Sequence, residues 1–173
     1  MNAALLRLPH VCRASSQTEA SKHRDDHQTL YAAVGPGRLL ELSGDPQGPL
    51  ATARTSAAVR ILRDAQQAGE TAVWIQPQSG ALYPPDLAAC GIDLNALLVV
   101  HVPLPSGPNP TRAWPHALCK AAELLLRSGA FGIIVLDFTQ GAPPSGREAW
   151  QGRLLGLAPV SYTHLTLPTI YSV

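Results

Sequence analysis

The sequence predicts an α/β domain built on a largely parallel sheet. Three observations carry that prediction. Short apolar runs of strand length, "LLELS", "AVWI", "LLVV" and "IIVL", recur along the chain. Between them lie longer stretches whose apolar residues return at three- and four-residue steps, the period of a half-buried helix. Glycine or proline marks most of the junctions. Strands that alternate with helices need crossover connections, and crossovers give parallel pairing. The composition agrees: 46% of the 173 residues are hydrophobic and 14% charged, enough for one domain with a core of its own.

Residues 1–12 read as a short apolar helix or an extended arm. "RASSQTEASKHRDDHQ" is polar and charged, and the whole segment 1–34 is expected to be an arm or linker. His23 and His27 stand four apart beside Asp25 and Asp26, a spacing that places two imidazoles on one helical face as a metal site would. No third ligand follows, so a solvated charge run is the better reading and no metal is expected. The first strand is Arg38 to Ser43, followed by the turn "GDPQGP". From about Thr52 to Ala68, Ala57, Ala58, Ile61, Leu62 and Ala65 give the helical period, and Gly69 ends it. "TAVWIQ" is the second strand. "LYPPDLAACGI" is a turn with proline opening a short helix that Gly91 closes. "ALLVVHVP" is the third strand and "LPSGPNP" a loop. Ala117, Ala121, Leu124 and Leu125 mark a helix from about Thr111 to Ser128. "FGIIVLDF" is almost wholly apolar, so it belongs at the centre of the sheet. A loop, "TQGAPPSG", leads to a last helix, "REAWQGRLLGLA".

The final stretch, "VSYTHLTLPTIYSV", shifts abruptly to Thr, Tyr and Ser. It resembles the read-through translation of a sequencing adapter, matching without a break from Val160 to Thr169. Residues 160–173 are therefore expected to stand outside the fold, and the natural segment to stop near Pro159, within a domain.

A formal net charge of +1 gives no electrostatic footprint for nucleic acid or for a membrane surface. Cys12, Cys90 and Cys119 are far apart, form no metal-binding spacing, and read as small buried hydrophobes of a reducing compartment. The chain opens with no signal-peptide pattern and holds no apolar run near ~18 residues. A cytoplasmic protein with no membrane partner is the expectation.

The junction from the first strand to the first helix is where many α/β proteins cradle a phosphate. That chemistry needs GxxxxGK[ST]: glycines for close backbone approach, lysine for the β/γ oxygens, a hydroxyl for magnesium. Counted from Gly44, the lysine position is Leu50 and the hydroxyl position Ala51. Counted from Gly48, the last three positions are Ala53, Arg54 and Thr55, which keep a charge and a hydroxyl but lose the inner glycine. Arginine's planar fork does not replace a compact ammonium. Asp137 ends a hydrophobic strand, where nucleotide hydrolases place a magnesium-linked carboxylate. At the end of the second strand Gln76 and Gln78 stand where hydrolysis needs a carboxylate to orient water, and amides cannot act as bases.

Taken in order, "GRLLELSG", "DAQQAGETAVWI", "LYPPDLAACGIDLNALLVVH" and "LLRSGAFGIIVLDF" resemble the core of the RecA family over roughly residues 35–158, within an expected partial domain at 35–159. They resemble more closely its ImuA branch, the degenerate RecA/SulA-like proteins coded beside error-prone polymerases. The resemblance implies a RecA-like P-loop-type domain, cut short on its C-terminal side. It places the phosphate-loop lysine on Arg54 and its threonine on Thr55, the catalytic glutamate on Gln78, the adenine-stacking tyrosine near Asp86, and the magnesium-linked aspartate on Asp137. Gly48, Arg54, Thr55 and Asp137 are then a vestigial nucleotide site with no catalytic residue and no cofactor. The implied function is a non-hydrolytic accessory role in the SOS damage response and translesion mutagenesis. Its implied partners are an error-prone polymerase, a Y-family-like polymerase homologue and RecA, with single-stranded DNA as a further candidate. Two alternatives stand beside it: a divergent RecA-type ATPase of recombination using ATP and magnesium, and a SulA-like cell-division inhibitor.

Overall fold

The computed structural model describes residues 11–13, 31–32, 35, 37–44, 53–104, 106, 110–138, 144, 147–161 and 164–170. Six strands form one sheet: β1 (Val11–Arg13), β2 (Leu39–Gly44), β3 (Ala72–Pro77), β4 (Leu97–Val102), β5 (Ile133–Leu136) and β6 (His164–Ile170). The helices described between them are α1 (Ala53–Gln67), α2 (Pro84–Ala89), α3 (Pro110–Ser128) and α4 (Arg147–Ser161). The spatial order is β1-β2-β6-β5-β3-β4, with every pairing parallel. The expected α/β class holds, and β5 is central as its apolar run requires.

Side-chain alternation divides β3 and β5 between two layers. Val73, Ile75, Ile134 and Leu136 face α3 and α4, where they meet Trp114, Leu118, Leu126 and Leu154. Ala72, Trp74, Ile133 and Val135 face α1 and α2, where they meet Ala58, Ile61, Leu62 and Leu87. A parallel sheet covered on both faces needs strands apolar on both faces, which is how these runs read. Phe138, just past β5, lies between Trp114 of α3 and Trp150 of α4, with ring centroids at 6.3 and 5.7 Å.

Short polar links fix the connections. Gly69 ends α1 at φ 86°, a left-handed conformation that favours glycine. The Thr71 hydroxyl donates to the Ala130 carbonyl at 2.7 Å, and Gly132 N–H donates to Thr71 O at 2.9 Å, which aligns the starts of β3 and β5. The Gln66 amide brackets Asp93, donating to its carbonyl at 2.8 Å and accepting from its N–H at 2.9 Å. Asp93 in turn accepts from Asn95 N–H at 2.9 Å and caps the short 3-10 turn that leads into β4.

Three expectations differ from the structure. Residues 160–173 do not all stand outside the fold: Val160 and Ser161 finish α4, and 164–170 form β6 between β2 and β5. "HLTLPTI" alternates Leu and Thr, a strand-forming period, whatever its coding origin. The apolar stripe of α3 is Trp114, Leu118, Ala122 and Leu126, and Leu124 lies beside it, 58% exposed. Cys119 is buried, but Cys90 is exposed at the end of α2. Within the N-terminal arm, Val11–Arg13 pair with β2 as β1. His23, His27, Gly48 and Leu50 lie outside the described residues.

Candidate functional site

The crossover topology brings the N-terminus of α1, the C-terminal end of β3 and the C-terminal end of β5 to one side of the sheet. A parallel open sheet places its ligand crevice at that end. A cleft of about 460 Å³ lies there. Its α1 wall is Thr55, Ser56, Val59, Arg60 and Arg63. Trp74 of β3 forms part of its lining, and Asp137 lies just past β5. The opposite wall is residues 81–83 with Asp86, Leu87 and Cys90 of α2.

The sequence-derived residues fall as follows. Thr55 and Asp137 come together on the cleft lining, although 82 residues separate them (137 − 55). Asp137 is buried, and its N–H donates to Ile75 O at 2.9 Å, which continues the β3–β5 ladder by one step. Arg54 is buried at the start of α1 and does not line the cleft. Asp86 lines it from α2. Gln78 is exposed beyond β3, its N–H bonded to Val102 O at 2.9 Å, and its side chain is not part of the lining.

Trp74, Arg60, Arg63 and Tyr83 are the lining residues that motif counting missed. Arg60 and Arg63 stand three apart on α1, and with Ser56 they define one helical face, a periodic signal available in the sequence. Trp74 read only as a strand residue. It is almost fully buried, and its Nε1–H has no acceptor among the described residues. Arg63 is similar: one terminal nitrogen reaches Asp64 Oδ1 at 3.3 Å, while its buried Nε–H has no acceptor. Gln76, one turn of the pleat beyond Trp74 on the same face, is wholly buried, and neither amide atom has a partner among the described residues. A Cβ at Gly80 would run into the Gln76 side chain, so the loop after β3 closes over that amide.

Thr55 at the start of α1 and Asp137 past β5 thus line one crevice at the C-terminal end of the sheet. The fold is RecA-like. RecA proteins carry the matching sequence: that of Corynebacterium jeikeium (strain K411) is 34% identical over 142 residues, covering 82% of this chain and 34% of the relative. RecA of Saccharopolyspora erythraea is 35% identical over 108 residues, covering 62% of this chain and 27% of the relative. The chain thus spans about a third or less of the length of the RecA proteins it matches. The crystal structure of SulA from Pseudomonas aeruginosa superposes with a TM-score of 0.55 at 16% identity, over 77% of this chain and 98% of SulA, a likeness of fold. No family model matches the chain. The sequence and structure similarities together support a RecA-like family. Among the described residues, no helix is long and apolar enough to cross a membrane, and no cluster of His, Cys, Asp and Glu has the make-up of a metal site.

Proposed function

We propose that this RecA-like chain is an accessory protein of the DNA-damage response that supports translesion mutagenesis through protein contacts and does not turn over ATP. The observation that supports this most is at the end of β3. Where a RecA-like ATPase carries the carboxylate that orients water, this chain has Gln78, an amide that is exposed and off the cleft. An amide takes no proton from water. The start of α1 supports the same reading, because Arg54, the residue at the lysine position, is buried and absent from the cleft lining. The residues present do not fit MgATP turnover, and no hydrolytic step is assigned to them. The partners in this reading are an error-prone polymerase, a Y-family-like polymerase homologue and RecA, and the compartment is the cytoplasm.

The test is a DNA-stimulated ATPase measurement on the chain, with Asp137→Ala as control. No turnover above buffer is expected for either protein. Turnover that disappears in Asp137→Ala would establish the rival reading, a divergent RecA-type ATPase.

A further inference from the structure

We infer that β4 is a self-association edge: two copies of this chain set their β4 strands antiparallel about a two-fold axis, so that one sheet runs through both. This goes beyond the accessory reading and does not depend on it. β4 closes the sheet order at one end, and among the described residues it pairs with β3 alone. The further backbone bond it makes, from Gln78 N–H to Val102 O, is to the segment that follows β3. Its other edge keeps a row of N–H and C=O groups that a further strand can take.

The two ends of the sheet are built differently. β1 is three residues long and finishes on Arg13. Shortness and charge both discourage a further strand. β4 is six residues, "LLVVHV", and carries no Lys, Arg, Asp, Glu, Pro or Gly. Leu98 is 44% exposed, and His101 is exposed too. Among the described residues five large hydrophobic side chains are exposed, and three of them, Leu94, Leu98 and Leu104, lie on β4 or within three residues of its ends. Exposed apolar surface therefore gathers at this edge, and gathered apolar surface marks a contact.

A second copy is the occupant this pattern fits. Two-fold pairing sets an uncharged, apolar strand against itself, so neither copy brings a charge that the contact would have to bury. The pairing also closes at two, because each copy uses its one long open edge. Pairing β4 with a neighbour's β1 would instead propagate without end, and β1 offers only three residues to it. A six-residue strand spans about 20 Å. Such a contact is at the small end of specific interfaces, so the expected dimer is weak, with a Kd in the micromolar range.

The test is sedimentation equilibrium of the full chain from about 1 to about 200 µM, a range that spans weak specific association. A monomer–dimer equilibrium is expected, with amide exchange over residues 97–102 slowing as concentration rises. A two-fold interface contains each substitution twice. Leu98→Lys should therefore weaken the dimer about tenfold or more and His101→Glu severalfold, since each puts two like charges on the shared ladder. Arg60→Glu, on the exposed face of α1, should leave the dimer unchanged. His101 is exposed, so its variant tests the edge even if Leu98→Lys folds poorly. A chain that stays monomeric throughout the range would overturn the inference. So would a dimer that both β4 variants leave intact, or an assembly that grows past two copies. None of these results bears on ATP turnover, which alone decides the accessory reading.

Discussion

Gln76 is the residue the fold accommodates least well. It lies one residue before the end of β3 on the α1 face, is wholly buried, and finds no partner for either amide atom among the described residues, with Gly80 closed over it and Asp137 next in the ladder. An unsatisfied buried amide lowers stability by about 1–3 kcal/mol, whereas an unbranched thioether of the same length has little to satisfy. Gln76→Met should therefore raise the urea-unfolding free energy by about 1 kcal/mol. A loss of stability would mean that the amide is engaged and that its burial is productive. At this scale the sequence was legible where a residue type has one use. Asp137, read at a strand end, and Thr55, read at a helix start, both line the cleft. Trp74 was not found as a cleft residue, nor Gln76 as a buried unsatisfied amide, because period-two apolar patterning tells which face a strand residue takes and not what lies over it.

The helices are tied to one another by a buried carboxylate. Glu123 of α3 reaches Lys120 at 3.4 Å and Arg127 at 3.8 Å on its own helix, and Arg153 of α4 at 3.5 Å. The three cations are largely exposed, so each pair is screened, and the anchoring comes from the shared acceptor. Cys119, one turn earlier, bears the consequence. Burial, then the Glu123 charge, push its thiol up from 9.0 to about 12, with Arg153 opposing. The sign follows from linkage. The folded pKa is raised, so the contribution is fully present below about pH 9 and is lost as pH rises toward 12, where the unfolded thiol ionises and the folded one does not. Between those values stability should fall by at most about 1.4 kcal/mol per pH unit from this group. Denaturant titrations at pH 8 and pH 10.5 should show a smaller fall for Cys119→Ala than for the parent, and equal falls would remove Cys119 as the cause. From β2 to α4 the element types were legible, from glycines at helix ends and the two hydrophobic periods, whereas β6 was not. On α3, Ala121 and Leu125 of the expected residues do pack against the core beside Trp114, Leu118, Ala122 and Leu126, while Leu124 is exposed, a difference that the helical period alone does not resolve.

For the whole molecule, the decisive feature is the order β1-β2-β6-β5-β3-β4. Alternation of strands and helices announces a parallel sheet, but it does not say which strands are neighbours. The pairing that matters most here, β2 to β6 to β5, joins the segment at residues 39–44 to the one at 164–170. No local pattern in "HLTLPTI" reveals a central strand, and its Pro168 argues against one, since proline has no N–H to give to a ladder. Yet the β2–β6 pairing spans six residue pairs and β5–β6 three, and among the described residues β2 and β5 have no direct pairing. Deleting residues 160–173 should therefore part the sheet into β1-β2 and β5-β3-β4. The facing edges of β2 and β5, among them Leu40, Leu42, Ile134 and Leu136, would lose their cover. Long apolar edges pair with other chains, so the shortened protein should aggregate. The net stability to be overcome is only about 5–15 kcal/mol, while each square ångström of apolar surface re-exposed removes about 25 cal/mol. Size-exclusion chromatography and a thermal melt of the 1–159 chain check this against the full chain, with aggregation or a broad, non-cooperative transition expected. A soluble monomer with a sharp melt would show that β2 closes on β5 without β6, and that the central position of the tail is dispensable to the fold.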